Sequence, residues 1–289
     1  MDGYASRHLA SLSSLSILLN PMIAIDFNYS APTTLEEALL LLDTSNHAVI
    51  LSGGYSLVSL LKSKGISPDL VIDTKLIPGL GTIEAGPKSA LHVGSSVSLA
   101  RLLDNSLLIS GYPALIEALD LVHDRQQLNQ TSIGDEYFYD TTGRGLLSAL
   151  YAYDAQFIYK SSGHIATLSH LLPPQSKMLL TSIVLPGVPS TVRFNQITNP
   201  VTRTPLFGVT TSLEVKDGLV LDSRILLFGE NIPVSRAVEL ENLMLNSSIE
   251  VLPSLVFSES LVAGYTENSI CSKKYLVNLL KFFVLRATA

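Results

Sequence analysis

The chain has 289 residues, 47% of them apolar and 15% charged, with a formal net charge of -6 and a mean hydropathy of +0.35. That length holds two compact domains of ordinary size, the apolar fraction excludes a disordered chain, and a negative balance without a basic stretch gives no reason to expect a nucleic-acid partner. Cys271 is the only cysteine, which excludes an internal disulfide and an all-cysteine iron–sulfur or zinc site.

Low charge with high hydropathy has two readings, apolar surface covered by partner chains or simply a large leucine-rich core. None of the six histidines shows metal-ligand spacing. The apolar stretch 9–19 is too short to span a bilayer. Asp2 offsets Arg7, so the positive start of a secretory signal is lacking. Residues 1–24 read as a flexible N-terminal extension, with Met22 as an alternative start and a cryptic signal peptide as the competing reading. Cytoplasm is the default location.

A legible pattern begins after Met22. Residues 27–32 read as extended chain, then Thr34 caps a helix at 35–42 with Glu37 completing a capping box. A strand at 48–51 runs into Gly53-Gly54, and a helix follows at 56–63. Strands are predicted at 70–72, 82–84 and 91–94, and helices at 98–103 and 113–122. Residues 123–144 are polar and read as one long irregular loop, a length that usually carries a function. Order resumes with a helix at 146–151 and strands at 156–159 and 178–185. Pro186, Gly187 and Pro189 mark a domain boundary. Beyond it come strands at 192–196, 206–215 and 219–228, the last two joined by the hairpin turn Lys216-Asp217-Gly218, then three helical stretches.

Leu51-Ser52-Gly53-Gly54-Tyr55-Ser56-Leu57, between a strand and a helix, is the sharpest local motif. Paired glycines turn the backbone tightly and aim successive N–H groups at one point, a nest suited to a phosphate. An ordinary tight turn is the other reading. Walker A and G-x-G-x-x-G patterns are absent, Gly143-Arg144-Gly145 lacking the third glycine, and Gly54 to Val58 lacks the second glycine of a nucleophile elbow.

This motif is one member of an ordered series. Phe27, Tyr29 and Pro32 precede the first helix, and Ser52 to Leu57 form a glycine-rich loop. Asp69-Leu70-Val71-Ile72-Asp73 leads to Pro78-Gly79-Leu80, followed by Leu91-His92-Val93-Gly94-Ser95. Later come Ala149 to Ala155 (ALYAYDA), Leu185-Pro186, Asn199-Pro200-Val201-Thr202-Arg203 with Phe207-Gly208-Val209, and Ser272-Lys273-Lys274-Tyr275-Leu276. In order and spacing the series resembles the FAD-binding medium subunits of molybdenum hydroxylases, the xanthine dehydrogenase and carbon monoxide dehydrogenase family.

The resemblance implies an α+β protein. A FAD-binding domain of the PCMH/VAO-like type is expected at 25–187, with subdomains at about 25–80 and 81–187. A small C-terminal α+β domain at 190–289 is expected to hold a three-stranded antiparallel sheet plus helices. It further implies an oxidoreductase subunit in a hetero-oligomer, holding FAD and passing electrons from iron–sulfur clusters of a small partner subunit to an external acceptor. Molybdenum-pterin belongs to a large partner subunit, and a single cysteine agrees with that division. The FAD residues carried over are Leu51, Ser52, Gly53, Gly54, Tyr55, Ser56, Leu57, Ser132, Ile133, Gly134, Asp135, Glu136, Gly145 and Leu185.

The second loop departs from the family pattern. Thr-Ile-Gly-Gly-Asn falls on Ser132-Ile133-Gly134-Asp135-Glu136, a family aspartate on Gly145, an arginine on Leu128 and a lysine on Gln196. A carboxylate about 4 Å from a phosphate charge at an effective dielectric of about 20 repels it by about 4 kcal/mol, an upper bound if the side chain turns away. Three readings stay open: a working FAD electron-transfer subunit, a flavin-free structural subunit of the same kind of complex, and a stand-alone FAD oxidoreductase, for which no convincing acid–base pair is visible.

Overall fold

A computed structural model describes residues 25–120, 124–139, 145–168, 177–187, 191–201, 204–229, 232–262 and 271–287. The expected extension 1–24, Gly143-Arg144 and Thr202-Arg203 of the Asn-Pro motif lie outside the described residues.

The first unit runs β1 (Asn28–Ser30), α1 (Leu35–Thr44), β2 (Ala48–Leu51), α2 (Tyr55–Lys62) and β3 (Leu70–Asp73). The strands form a parallel sheet in the order β1-β3-β2. Central β3 is apolar on both sides, as a strand covered by helices on two faces must be. Ile72 joins Ala38, Leu39 and Leu42 of α1, while its neighbour Val71 joins Leu57 and Leu61 of α2. Period-2 alternation thus assigns one helix to each face. The Thr34 hydroxyl accepts from Glu37 N at 3.3 Å, but the Glu37 carboxylate answers Thr33 N, so the expected capping box closes one residue early.

The second unit comprises β4 (Ile83–Ala85), β5 (Leu91–Gly94), α3 (Leu99–Leu103), α4 (Ser106–Gly111), α5 (Pro113–Asp120), α6 (Arg125–Gln130), α7 (Ile133–Tyr139), α8 (Gly145–Ala152), β6 (Gln156–Ser161), β7 (His164–Leu168) and β8 (Leu179–Leu185). Its five strands pair antiparallel in the order β4-β5-β8-β6-β7, and the helices close over Val93, Phe157, Tyr159 and Ile183 in one apolar core. The expected irregular loop at 123–144 is corrected here, because its described part holds α6 and α7. Asp124 and Gln127 form a reciprocal capping box on α6, and the Ser132 hydroxyl accepts from Asp135 N at 3.0 Å at the start of α7. Short polar helices held by caps show little apolar periodicity, which is why the pattern read as a loop.

The third unit holds β9 (Thr191–Thr198), β10 (Pro205–Lys216), β11 (Leu219–Gly229), β12 (Ile232–Arg236), α9 (Val238–Met244) and α10 (Lys273–Ala287). The expected three-stranded sheet has four strands, in the antiparallel order β12-β11-β10-β9. β12 is an edge strand containing Pro233, a residue that an edge tolerates and that hides the strand from pattern reading. Asp217 and Gly218 have φ of 52° and 77°, the left-handed pair that a two-residue hairpin turn requires.

One face of this sheet packs Phe207, Val209, Ile225 and Leu227 against Leu240, Met244, Leu280 and Phe283 of α9 and α10. The other places Val192, Phe194, Leu226 and Phe228 in the core of the second unit. The Phe194 and Phe228 rings stack with centroids 5.4 Å apart, and Phe228 lies so close over β10 that a Cβ on Gly208 would overlap its ring. Truncating this fully buried ring in Phe228→Ala is expected to lower the unfolding free energy by about 3–5 kcal/mol in urea denaturation. A loss under about 1 kcal/mol would mean that the sheet is held by other contacts.

Candidate functional site

At the end of β2 the backbone turns through Ser52, Gly53 and Gly54 into α2. Gly54 has φ 141°, a conformation that a side chain resists. Gly53 is needed for a different reason. A Cβ there would overlap the backbone nitrogen of Ser132 and come within 2.9 Å of the Gln130 carbonyl oxygen. The two segments named in the sequence therefore cross at backbone contact, and the Ser132 hydroxyl donates to the buried Ser52 hydroxyl at 2.9 Å.

The second segment is also clamped from behind. Leu99 N donates to Thr131 O, Ile133 N to Val97 O and Gly134 N to Ser95 O, each at 2.9 Å. A Cβ on Gly134 would lie 2.8 Å from Ser95 O. At the far end of α7 the Tyr139 hydroxyl donates to Ile50 O at 2.9 Å and accepts from Ile50 N at 3.2 Å. Burial, and then the nearby Asp135 carboxylate, hold the Tyr139 pKa above its ordinary value.

Between these clamps lies Asp135, with no solvent exposure. Its Oδ2 accepts from the Ser56 N–H at 3.1 Å. The N–H groups of Gly54 and Leu57 face the same carboxylate, while its Oδ1 is buried without a full hydrogen bond among the described residues. The amide nest expected to face a phosphate instead faces a carboxylate of the chain itself. Helix α2 has no side-chain cap of its own and no acid in its first turn, so Asp135 supplies the missing acceptor from another element.

An open cavity of about 720 Å³ lies at the crossing, lined among others by Gly53, Gly54, Tyr55, Lys62, Lys75 and Ser132. Tyr55 presents its hydroxyl at the rim, accepting from Gln127 Nε2 at 2.6 Å. Lys75 is tied to Asp73, Nζ to Oδ2 at 3.2 Å, and that same carboxylate oxygen accepts from the Tyr29 hydroxyl at 2.7 Å.

Of the residues singled out in the sequence, Leu51 to Tyr55 and Ser132 line the cavity together. Leu57, Ile133 and Leu185 lie in apolar cores, and Glu136 is buried on α7. Gly145 faces the third unit, where a Cβ would meet Phe194 Cζ at 3.0 Å and Phe228 Cε2 at 3.5 Å. Lys62, Lys75, Gln130 and Thr131 line the cavity without having been singled out. Lys75, two residues after an acidic strand end, was the one carrying a signal. Among the described residues no group of three or more His, Cys, Asp or Glu is placed to hold a metal ion.

Comparison with known proteins gives a consistent result. Residues 25–187 match the model of the FAD binding domain in molybdopterin dehydrogenase. Over 139 residues the chain is 31% identical to the carbon monoxide dehydrogenase medium chain of Hydrogenophaga pseudoflava, covering 47% of this chain and about half (48%) of that one. Over 240 residues it is 25% identical to the 6-hydroxypseudooxynicotine dehydrogenase complex subunit alpha of Paenarthrobacter nicotinovorans, covering 77% and 79% of the two chains. In fold it is similar to a chain of quinoline 2-oxidoreductase from Pseudomonas putida 86, with a TM-score of 0.75, 19% identity and coverage of 91% of this chain and 95% of that one.

The Asp135 geometry has a pH signature. Burial raises its pKa above 3.8, and the N–H groups of Ser56, Gly54 and Leu57 and the charge of Lys75 only partly oppose this. A carboxyl with a higher pKa folded than unfolded favours the fold while protonated. That contribution is full below the unfolded pKa and is lost as pH rises through the folded value. Asp135→Asn keeps the shape and removes the titration. Its stability relative to the parent is therefore expected to rise as pH rises above the ordinary carboxyl range. Urea denaturation at each pH measures this, and a flat difference would contradict the buried carboxyl.

Proposed function

The chain belongs to the family of FAD binding domains in molybdopterin dehydrogenases, and on that premise we propose that it is the FAD-binding medium subunit of a molybdenum hydroxylase complex. In this reading it is an oxidoreductase subunit standing between the iron–sulfur clusters of a small partner subunit and an external electron acceptor. A large partner subunit holds molybdenum-pterin and hydroxylates the substrate. The observation that carries the reading is the crossing of the 52–57 loop over residues 130–132 at the mouth of the cavity, in a chain whose relatives are named as medium or alpha subunits of dehydrogenases. The lone Cys271 agrees with clusters housed elsewhere. Among the described residues no helix is long and apolar enough to cross a membrane. A cytoplasmic location is part of the proposal.

FAD, when bound, supplies the electron chemistry. Gly53, Gly54, Tyr55 and Ser132 are the residues that would hold it along the cavity wall, with Lys62 and Lys75 as the nearby positive charges. At the amide nest the residues as they stand do not fit a pyrophosphate, because Asp135 takes the Ser56 amide. That mismatch favours a second reading, a flavin-free subunit whose fold organises the same kind of complex.

Affinity isolation of the tagged full chain from its host tests both. Co-purification of a large and a small subunit together with molybdenum and iron is the expected result. A chain that turns over substrate alone, with FAD and without molybdenum or iron, would sink the subunit reading. The flavin absorbance of the purified complex decides between its flavin-bound and flavin-free forms.

A further inference from the structure

We propose that Asp135 is an internal counterpart of a phosphate, seated on the amide nest that opens α2, and that a dinucleotide can place its pyrophosphate on this nest only by driving that side chain out. The proposal rests on the FAD reading above and adds a condition to it.

The nest comprises the start of α2, an eight-residue helix, and the turn at Gly54. Amides at such a position carry partial positive charge and favour an anion. The anion already there is held by the scaffold rather than by strong bonding. A carboxylate has about four acceptor sites, yet only Oδ2 receives a full hydrogen bond, from Ser56, and buried Oδ1 receives none among the described residues.

Asp135 stays there because α7 is pinned along its length. The Ser132 hydroxyl caps its first turn, the N–H groups of Ile133 and Gly134 are taken by Val97 and Ser95, and the Tyr139 hydroxyl is locked onto Ile50. The side chain is thus delivered into the nest by its helix and remains under-bonded there. A second anion cannot share the Ser56 N–H at hydrogen-bonding distance. Like-charge repulsion at about 4 Å adds a factor of up to about a thousand against a phosphate while both stay charged. The cavity of about 720 Å³ beside the loop stays open meanwhile, so the remainder of a dinucleotide has room even when the nest is shut.

The full-length chain and its Asp135→Ala and Asp135→Asn variants are titrated with FAD, and separately with ADP, by calorimetry, with thermal unfolding as the check on folding. Asp135→Ala is expected to bind FAD at least about tenfold more tightly than the parent. Asp135→Asn, which keeps the volume and loses the charge, should fall between. ADP, which has the pyrophosphate and no flavin, should gain by a similar factor, placing the effect at the phosphates. A change under about threefold between parent and Asp135→Ala overturns the proposal. If the parent already binds FAD tightly, the FAD reading survives that outcome. If no folded form binds FAD, the FAD reading falls with it. A second measurement needs no loss of the side chain: the amide NMR signals of Gly54 and Ser56 in the parent should follow a single carboxyl titration that is absent in Asp135→Asn. Signals that do not move overturn the proposal.

Discussion

The backbone of residue 53 lies against that of residues 130–132, at a spacing where a Cβ on Gly53 would overlap the Ser132 nitrogen. The first unit's apolar clusters take in Leu179 of β8 and, partly buried, Tyr139 of α7. The main core of the second unit is a distinct cluster, so close polar crossings add to a limited apolar contact in placing the two units. Beside this crossing are the Ser132–Ser52 hydroxyl bond, the Tyr139 clamp on Ile50 and the contact of the Thr74 and Ser96 hydroxyls at 3.2 Å. Gly94 makes a second close approach, since a Cβ there would overlap the Leu80 carbonyl. Each hydrogen bond contributes only about 1 kcal/mol net, but leaving one of these buried groups unpaired costs about 1–3 kcal/mol. That penalty helps to hold the units in register.

The same closeness makes the electrostatics of the site self-contained. Helix α2 begins without a capping side chain, and its nearest anion comes from α7. Burial of a carboxylate is unfavourable unless its oxygens are bonded, and here the balance falls on the side of a raised pKa. A nest that binds an external anion is open when the protein is empty. This one satisfies part of its own field internally, which lowers the gain on ligand binding.

How much of this was legible follows from the kind of signal each element carries. The parallel strand β3 was readable because Leu70, Val71 and Ile72 form a continuous apolar run that two covering helices require. The Asp217-Gly218 turn was readable because both residues must take left-handed φ. Helices α6 and α7 were not, because their stability comes from the caps Asp124 and Ser132 and from contacts with Ser95, Val97 and Ile50 that lie far away in sequence. Strand β12 was hidden by Pro233. At the site, the glycine pair and the acids at 135 and 136 were evident as residue types. That Asp135 reaches Ser56, 79 positions away, is a consequence of the crossing, and nothing local in the sequence encodes it.

Gly145 completes the argument about charge. By resemblance to the family it stands where an aspartate is expected, and a glycine there means one carboxylate fewer around a ligand. The packing gives another cause. A Cβ there would be 3.0 Å from the Phe194 ring, which is stacked on Phe228 in the join between the second and third units. An aspartate would have to displace that pair or leave its carboxylate buried against it. On the same face of β9, two residues after Phe194, the amide atoms of Gln196 are buried with no partner among the described residues, at a position where the family has a lysine. The face that joins the units is therefore built on aromatic packing and lacks the charges expected there, while the acid that this chain does carry is set into the amide nest. The two departures differ in sign: Gly145 and Gln196 remove charge where the units join, and Asp135 adds it at the amide nest.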